Sequence, residues 1–184
     1  MSELLGHFLK FNKILGLKVT NTVSTQLKVG LCVTEFSGGV KEYQSCHSIL
    51  PKFSFFGQFG YQNRGVLISI DPKIVMLGTQ RCFGGKVDIV NDNGKETSFT
   101  FAENFFGKQV LGILDKEFEE KECSLEMNKI DYQLDRSHLF FSDEKVLFIE
   151  MKCTIEGNNV GAICMVYPLQ FVKEEKEKWI EESS

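Results

Sequence analysis

Gly65-Val-Leu-Ile-Ser-Ile-Asp-Pro72 is answered 96 positions later by Gly161-Ala-Ile-Cys-Met-Val-Tyr-Pro168: a glycine, an apolar run, and a proline seven residues on. The same offset pairs Ile14-Leu15-Gly16-Leu17 with Val110-Leu111-Gly112-Ile113. Repetition at a fixed spacing constrains architecture before any single element does. Two copies are too few for a solenoid. They imply a single domain, 1–184, built from two related halves at about 4–86 and 100–182, each running helix, strands, helix.

Composition narrows the class. A 184-residue chain buries roughly 70% of its unfolded surface, and 42% hydrophobic with 25% charged residues is an ordinary globular balance. Seventeen Phe beside one Trp and four Tyr call for a thick core or an adhesive surface, because Phe brings area without a polar handle. The net charge is −4 and no dense Lys/Arg cluster exists, which argues against a nucleic-acid partner. No apolar run approaches the roughly 18–20 residues that a transmembrane helix needs. Met1-Ser-Glu-Leu-Leu-Gly-His7 lacks a signal pattern, so a cytoplasmic location is expected. Six widely spaced cysteines with no C-x-x-C pair read mostly as small buried hydrophobes rather than a disulfide framework.

Along the chain, apolar residues at 4, 5, 8, 11, 14 and 15 predict an amphipathic helix over 4–17; 18–26, rich in Thr and Val, either extends or breaks it. Residues 27–36 alternate as a strand, Ser37-Gly38-Gly39 reads as a turn, and 49–59 as an aromatic strand. Val66 to Ile70 reads as a buried strand, Asp71-Pro72 as a helix start, and Gly84-Gly85 as its stop. Residues 88–97 resemble a linker between the halves. A long helix is expected over 101–118, with 101, 105, 106, 110, 113, 114 and 118 on its apolar face, then strands at 129–139, 146–155 and 160–166 with turns at 142–144 and 156–159. Pro168 opens a last helix in which Phe171, Val172, Trp179 and Ile180 cover the core and the 173–178 charges face solvent. Hairpin-length connections make this an α+β domain with one mostly antiparallel sheet flanked by helices.

Several segments in this order resemble the middle domain of FliM, the bacterial flagellar motor switch protein. Tyr43-x-x-Cys46-x-x-Ile49-Leu50-Pro51 is similar to its Tyr-x-x-Phe-x-x-Ser-Leu-Pro segment. The 65–76 run followed by Arg81-Cys82-Phe83-Gly84-Gly85 is similar to its Leu-Glu-Ile-x-Pro-x-Leu-Val-Phe … Asp-Arg-Leu-Phe-Gly-Gly block, and Thr100-Phe-Ala-Glu103 to the Thr-x-Ile-Glu opening its second long helix. Gly161 to Pro168 is similar to its Gly-x-Met-x-Ile-x-Ile-Pro strand. The resemblance spans roughly 4–182 and implies a pseudo-two-fold, CheC-like fold shared with the CheC and CheX phosphatases and FliY. It also implies that the FliG-gripping Gly-Gly-x-Gly loop falls at Gly60, Tyr61, Gln62, Asn63, Arg64 and Gly65, where this chain keeps only the outer glycines. The acidic-hydrophobic segment that precedes this domain in FliM, and the small β-rich domain that follows it, are not expected within 1–184.

CheC-type phosphatases, by the same resemblance, use a Glu and an Asn at i and i+3 on one helix face to orient an attacking water. On the second long helix Glu103 is followed three residues on by Phe106, and Asn104 points about 100° away. On the first, Asn12 is preceded three residues back by Leu9. Glu156-x-x-Asn159 falls in an expected hairpin turn. His7, His47 and His138 lack ligand spacing, and Gly84-Gly85-Lys86 lacks the phosphate-loop frame; no catalytic, cofactor or metal residue is assigned. Phe53-Ser-Phe-Phe56-Gly-Gln-Phe59-Gly-Tyr61 reads equally as contact surface or core packing, with at least one ring of Phe55-Phe56 expected to leave the core face.

The resemblance therefore implies a non-enzymatic switch component, at the cytoplasmic face of the inner membrane, that binds a FliG-like protein and neighbouring FliM-like copies through no cofactor. The alternatives are a CheC/CheX-like phosphatase of the chemotaxis response regulator, which is also a candidate partner, and a stand-alone regulatory binder of the same fold.

Overall fold

The two glycine-to-proline runs form β3 (Arg64–Ile70) and β6 (Asn158–Pro168), which lie side by side at the middle of a six-stranded antiparallel sheet. The computed structural model describes residues 2–62, 64–86, 98–123 and 125–175. The remaining elements are α1 (Ser2–Gln26), β1 (Leu31–Glu42), α2 (Tyr43–Ile49), β2 (Phe53–Tyr61), α3 (Pro72–Cys82), α4 (Phe101–Glu120), β4 (Glu126–Gln133), β5 (Lys145–Ile155) and α5 (Leu169–Glu174). Strand order is β1-β5-β6-β3-β2-β4.

The register of the central pair carries the pseudo-two-fold axis. Ile68 faces Met165 and Ser69 faces Cys164. Moving either pair by the 96-residue repeat turns it into the other. Leu67–Val166 and Ile70–Ile163 are exchanged in the same way. Outward from this centre, β1 pairs with β5 and β4 with β2. The first strand of each half thus borders the second strand of the other, and the halves interlock.

Both faces of the sheet are covered. On one side α1, α3, α4 and α5 enclose the main core, including Phe8, Phe55, Phe59, Phe106, Phe118, Tyr167 and Phe171. On the other, α2 and the chain around Leu134, Leu139 and Phe140 seal a smaller core with Phe56, Leu67, Phe148, Cys164 and Val166. This double cover settles the Phe-rich strand. Phe55 and Phe56 point to opposite faces and both are fully buried; the ring that leaves the main core enters the second one. The segment is core packing rather than contact surface.

Local chemistry explains the helix ends. The Asp71 side chain accepts from Lys73 N at 2.9 Å at the start of α3, and Thr100 with Glu103 forms a reciprocal capping box on α4. The 18–26 stretch continues α1: Val19 and Val23 extend its buried stripe, and Thr20 satisfies its hydroxyl on Gly16 O at 2.9 Å.

Some expectations move. Residues 37–39 are no turn: Ser37, Gly38 and Gly39 pair with Glu150, Ile149 and Phe148 inside β1. A Cβ at Gly38 would come within 2.5 Å of Leu9 and 2.7 Å of Ile149, so the glycine serves close packing of α1 on the sheet. The strand expected over 27–36 starts at Leu31, and the one expected from 49 starts at Phe53, after α2. The strand expected over 129–139 is β4, which starts earlier and closes in a tight turn at Leu134–Arg136. Phe101 and Phe105, placed on the apolar face of α4, are exposed, Phe101 at 90%; the buried stripe begins at Phe106. All six cysteines are free, and Cys32 is exposed on β1. The 88–97 linker, Trp179 and Ile180 lie outside the described residues.

Candidate docking hairpin

β2 and β3 are joined by a two-residue loop. Gly60 faces Gly65 and Tyr61 faces Arg64; Gln62, just past this last pair, has φ +51°, the sign that short hairpins require. Asn63 lies outside the described residues. The outer glycines sit in the paired legs. The Asn128 side chain of β4 occupies the space beside Gly60, and Leu139 and Phe59 O lie 3.0 Å from where a Cβ on Gly65 would stand. They are packing glycines.

The side chains of the tip turn back onto the domain. Tyr61 is buried with its ring edge-on to Phe171, centroids 4.8 Å apart. Its hydroxyl donates to Glu174 Oε2 of α5 at 2.5 Å, and Gln62 Nε2 donates to the same oxygen at 3.1 Å. Burial, reinforced by the Glu174 carboxylate, pushes the Tyr61 phenol up. The hydrogen bonds from Tyr61 and Gln170 hold the Glu174 carboxyl below its usual range. Arg64 pairs with Glu144, whose carboxylate is largely shielded. The structure thus joins Tyr61, Gln62 and Arg64 to two acids that sequence reasoning missed. They lie 80 to 113 positions away, with no local signal that could have found them.

Beside the hairpin, Gly60 and Gln62 border a cleft of about 780 Å³ shared with Asp115, Glu119, Glu122 and Glu126. Burial raises the Asp115 carboxyl, and Glu119 and Glu126 add to it. Catalytic constellations are not assembled by the other candidates. Glu156 pairs with Arg81 of α3 at 2.5 Å, and Asn159 accepts from Gly161 N at 3.0 Å within the β5–β6 hairpin, so the two side chains of the Glu-x-x-Asn pair are engaged separately. Asn12 is buried and accepts from Tyr167 Oη at 2.7 Å; Asn104 accepts from Tyr132 Oη. His47 faces Asp135 at 3.3 Å. Among the described residues no group of three His, Cys, Asp or Glu side chains is placed to hold a metal, and no helix is long and apolar enough to cross a membrane.

No protein-family model and no curated protein matches the chain. Solved structures do. A chain of the FliG–FliM complex from H. pylori superposes with a TM-score of 0.76 at 18% identity, covering 95% of this chain and 99% of that one. The FliM middle domain from Vibrio alginolyticus gives 0.71 at 13% identity, covering 91% and 96%. FliY from Thermotoga maritima gives 0.71 at 14%, covering 98% of both. The fold of this chain is that of the FliM and FliY middle domains.

Proposed function

We propose that this chain is a non-enzymatic binding module of the flagellar switch, docking a FliG-like protein through the 60–65 hairpin and packing beside copies of itself at the cytoplasmic face of the inner membrane. The observation that carries the reading is the fold likeness, over nearly the whole chain, to a chain of the FliG–FliM complex. The hairpin adds to it as a short, well-anchored projection, which costs less ordering entropy on binding than a loose loop. A ring of copies requires a heterologous interface repeated about an axis. The single-domain organisation, with halves at about 4–86 and 100–182, belongs to the same proposal. The phosphatase alternative is disfavoured because Glu156 and Asn159 sit around a hairpin turn rather than on one helix face.

Calorimetric titration with the FliG middle domain from the same organism tests this reading. Saturable binding that is lost on combining Asn63→Ala with Arg64→Ala is the expected result. No heat of binding up to about 100 μM, a limit of about −5.5 kcal/mol, would reject docking and leave the stand-alone binder as the better account.

A further inference from the structure

We infer that Glu174 and Glu144 are positioning residues for the docking hairpin: two carboxylates, one from α5 and one from the turn before β5, that clamp its two legs in the presented shape. This rests on the proposed docking role for its functional meaning, though the clamp itself is a property of the free chain.

The sheet ladder stops short of the tip. β6 pairs with β3 from Leu67 to Ile70 only, while its pairing with β5 on the other side runs on to Pro168. Among the described residues no strand pairs with the outer side of Arg64, Gly65 and Val66. On the other leg, β4 follows β2 as far as Gly60. Tyr61, Gln62 and Arg64 extend beyond both ladders, and an isolated hairpin end of this kind is marginally stable in water.

Each clamp has the same construction. In Glu174, Oε1 accepts from Gln170 Nε2 at 2.6 Å one helical turn back, which aims Oε2 at Tyr61 and Gln62. In Glu144, Oε2 accepts from Phe141 N at 3.3 Å while Oε1 meets Arg64. The Glu144 backbone is itself fixed, its carbonyl accepting from Tyr43 N at 2.8 Å at the start of α2. One oxygen of each acid is thus held by its own segment and the other holds the hairpin. Because Gln62 and Arg64 are engaged this way, they shape the tip; a partner that recruits either side chain must first break its clamp.

The test is amide hydrogen exchange on the wild type, Glu174→Ala, Glu144→Ala, the double variant and Tyr61→Phe, read beside affinity for the FliG middle domain. The expected result is exchange at 61, 62 and 64 at least threefold faster in each single Ala variant and faster still in the double. Exchange at Leu67 to Ile70 should change far less than at the tip and the melting temperature should fall by only about 1–3 °C per single variant, with affinity falling in the same order. Tyr61→Phe, which keeps the buried ring and removes only the hydroxyl, should reproduce part of the Glu174→Ala effect. Unchanged tip exchange in both Ala variants would overturn the clamp. So would faster exchange with undiminished affinity, since the acids would then not position the docking surface. Absence of wild-type binding would reject the docking proposal, while the exchange data would still decide the clamp.

Discussion

Replacing Gly161 by alanine should cost far more than its position on a paired strand suggests. Gly161 sits where β6 slips against β5: Cys153 faces Gly161, but Thr154 faces Asn159. Its φ is +95°, and a Cβ there would fall within the Asp71 carboxylate and 2.8 Å from Asp71 Cβ. Holding an L-residue at positive φ costs about 1–2 kcal/mol. Asp71 cannot escape by rotating its carboxylate alone, because its own Cβ is in the way. It must back off from its cap on Lys73 N, which adds about 0.5–2 kcal/mol. Gly161→Ala should therefore destabilise by about 1.5–4 kcal/mol, measured from the urea midpoint at constant m-value. Gly157, with φ +81° and open space around it, is the control: Gly157→Ala carries the backbone cost alone, about 1–2 kcal/mol. In an Asp71→Ala background the Gly161→Ala cost should shrink toward the control, since the cap is already gone. Equal costs at 157 and 161, or no coupling to Asp71, would refute the reasoning.

Phe56→Ala should destabilise by about 3–5 kcal/mol, whereas Phe101→Ala should stay within about 0.5 kcal/mol; comparable losses would contradict the two-faced core. Burial raises the Asp71 carboxyl above its ordinary value, against the Lys73 backbone hydrogen bond. The folded state therefore binds that proton more tightly than the unfolded chain, and the associated stability is complete below about pH 3.9 and drains away as pH rises through the raised folded value. Asn caps as well as Asp, so Asp71→Asn should gain on the wild type between pH 4 and pH 7 in paired denaturation curves; a constant difference would exclude the effect. A thiol reagent should label Cys32 first and half-buried Cys82 more slowly. Cys46, Cys123, Cys153 and Cys164 should wait for unfolding, because they are buried and burial pushes the Cys153 and Cys164 thiols up to about 12. Two or more buried thiols reacting at the Cys32 rate would contradict the packing.

The centre of the sheet was readable because its signals are local. An apolar run closed by Asp71-Pro72 is both a strand and a helix cap, and the 96-residue echo locates its partner. What escaped depends on neighbours distant in sequence. Gly38-Gly39 looks like a turn until α1 is placed over it. Helix α2 buries only Tyr43 and Cys46, too few positions to show a period. Phe55-Phe56 breaks alternation because both sheet faces are covered, a fact of topology. At the hairpin, Gly60 and Gly65 have side-chain or backbone neighbours packed against them, and Glu144 and Glu174 are ordinary surface acids in sequence until the fold brings them to Arg64 and Tyr61.

Chemical-shift mapping of the isotope-labelled chain, titrated with the FliG middle domain, tests the central claim most directly. The account predicts progressive shifts centred on 60–65, extending to Glu144 and Glu174 as their clamps respond, with the α1 resonances unmoved. Shifts confined to another face, or none at protein concentrations near 100 μM, would contradict it.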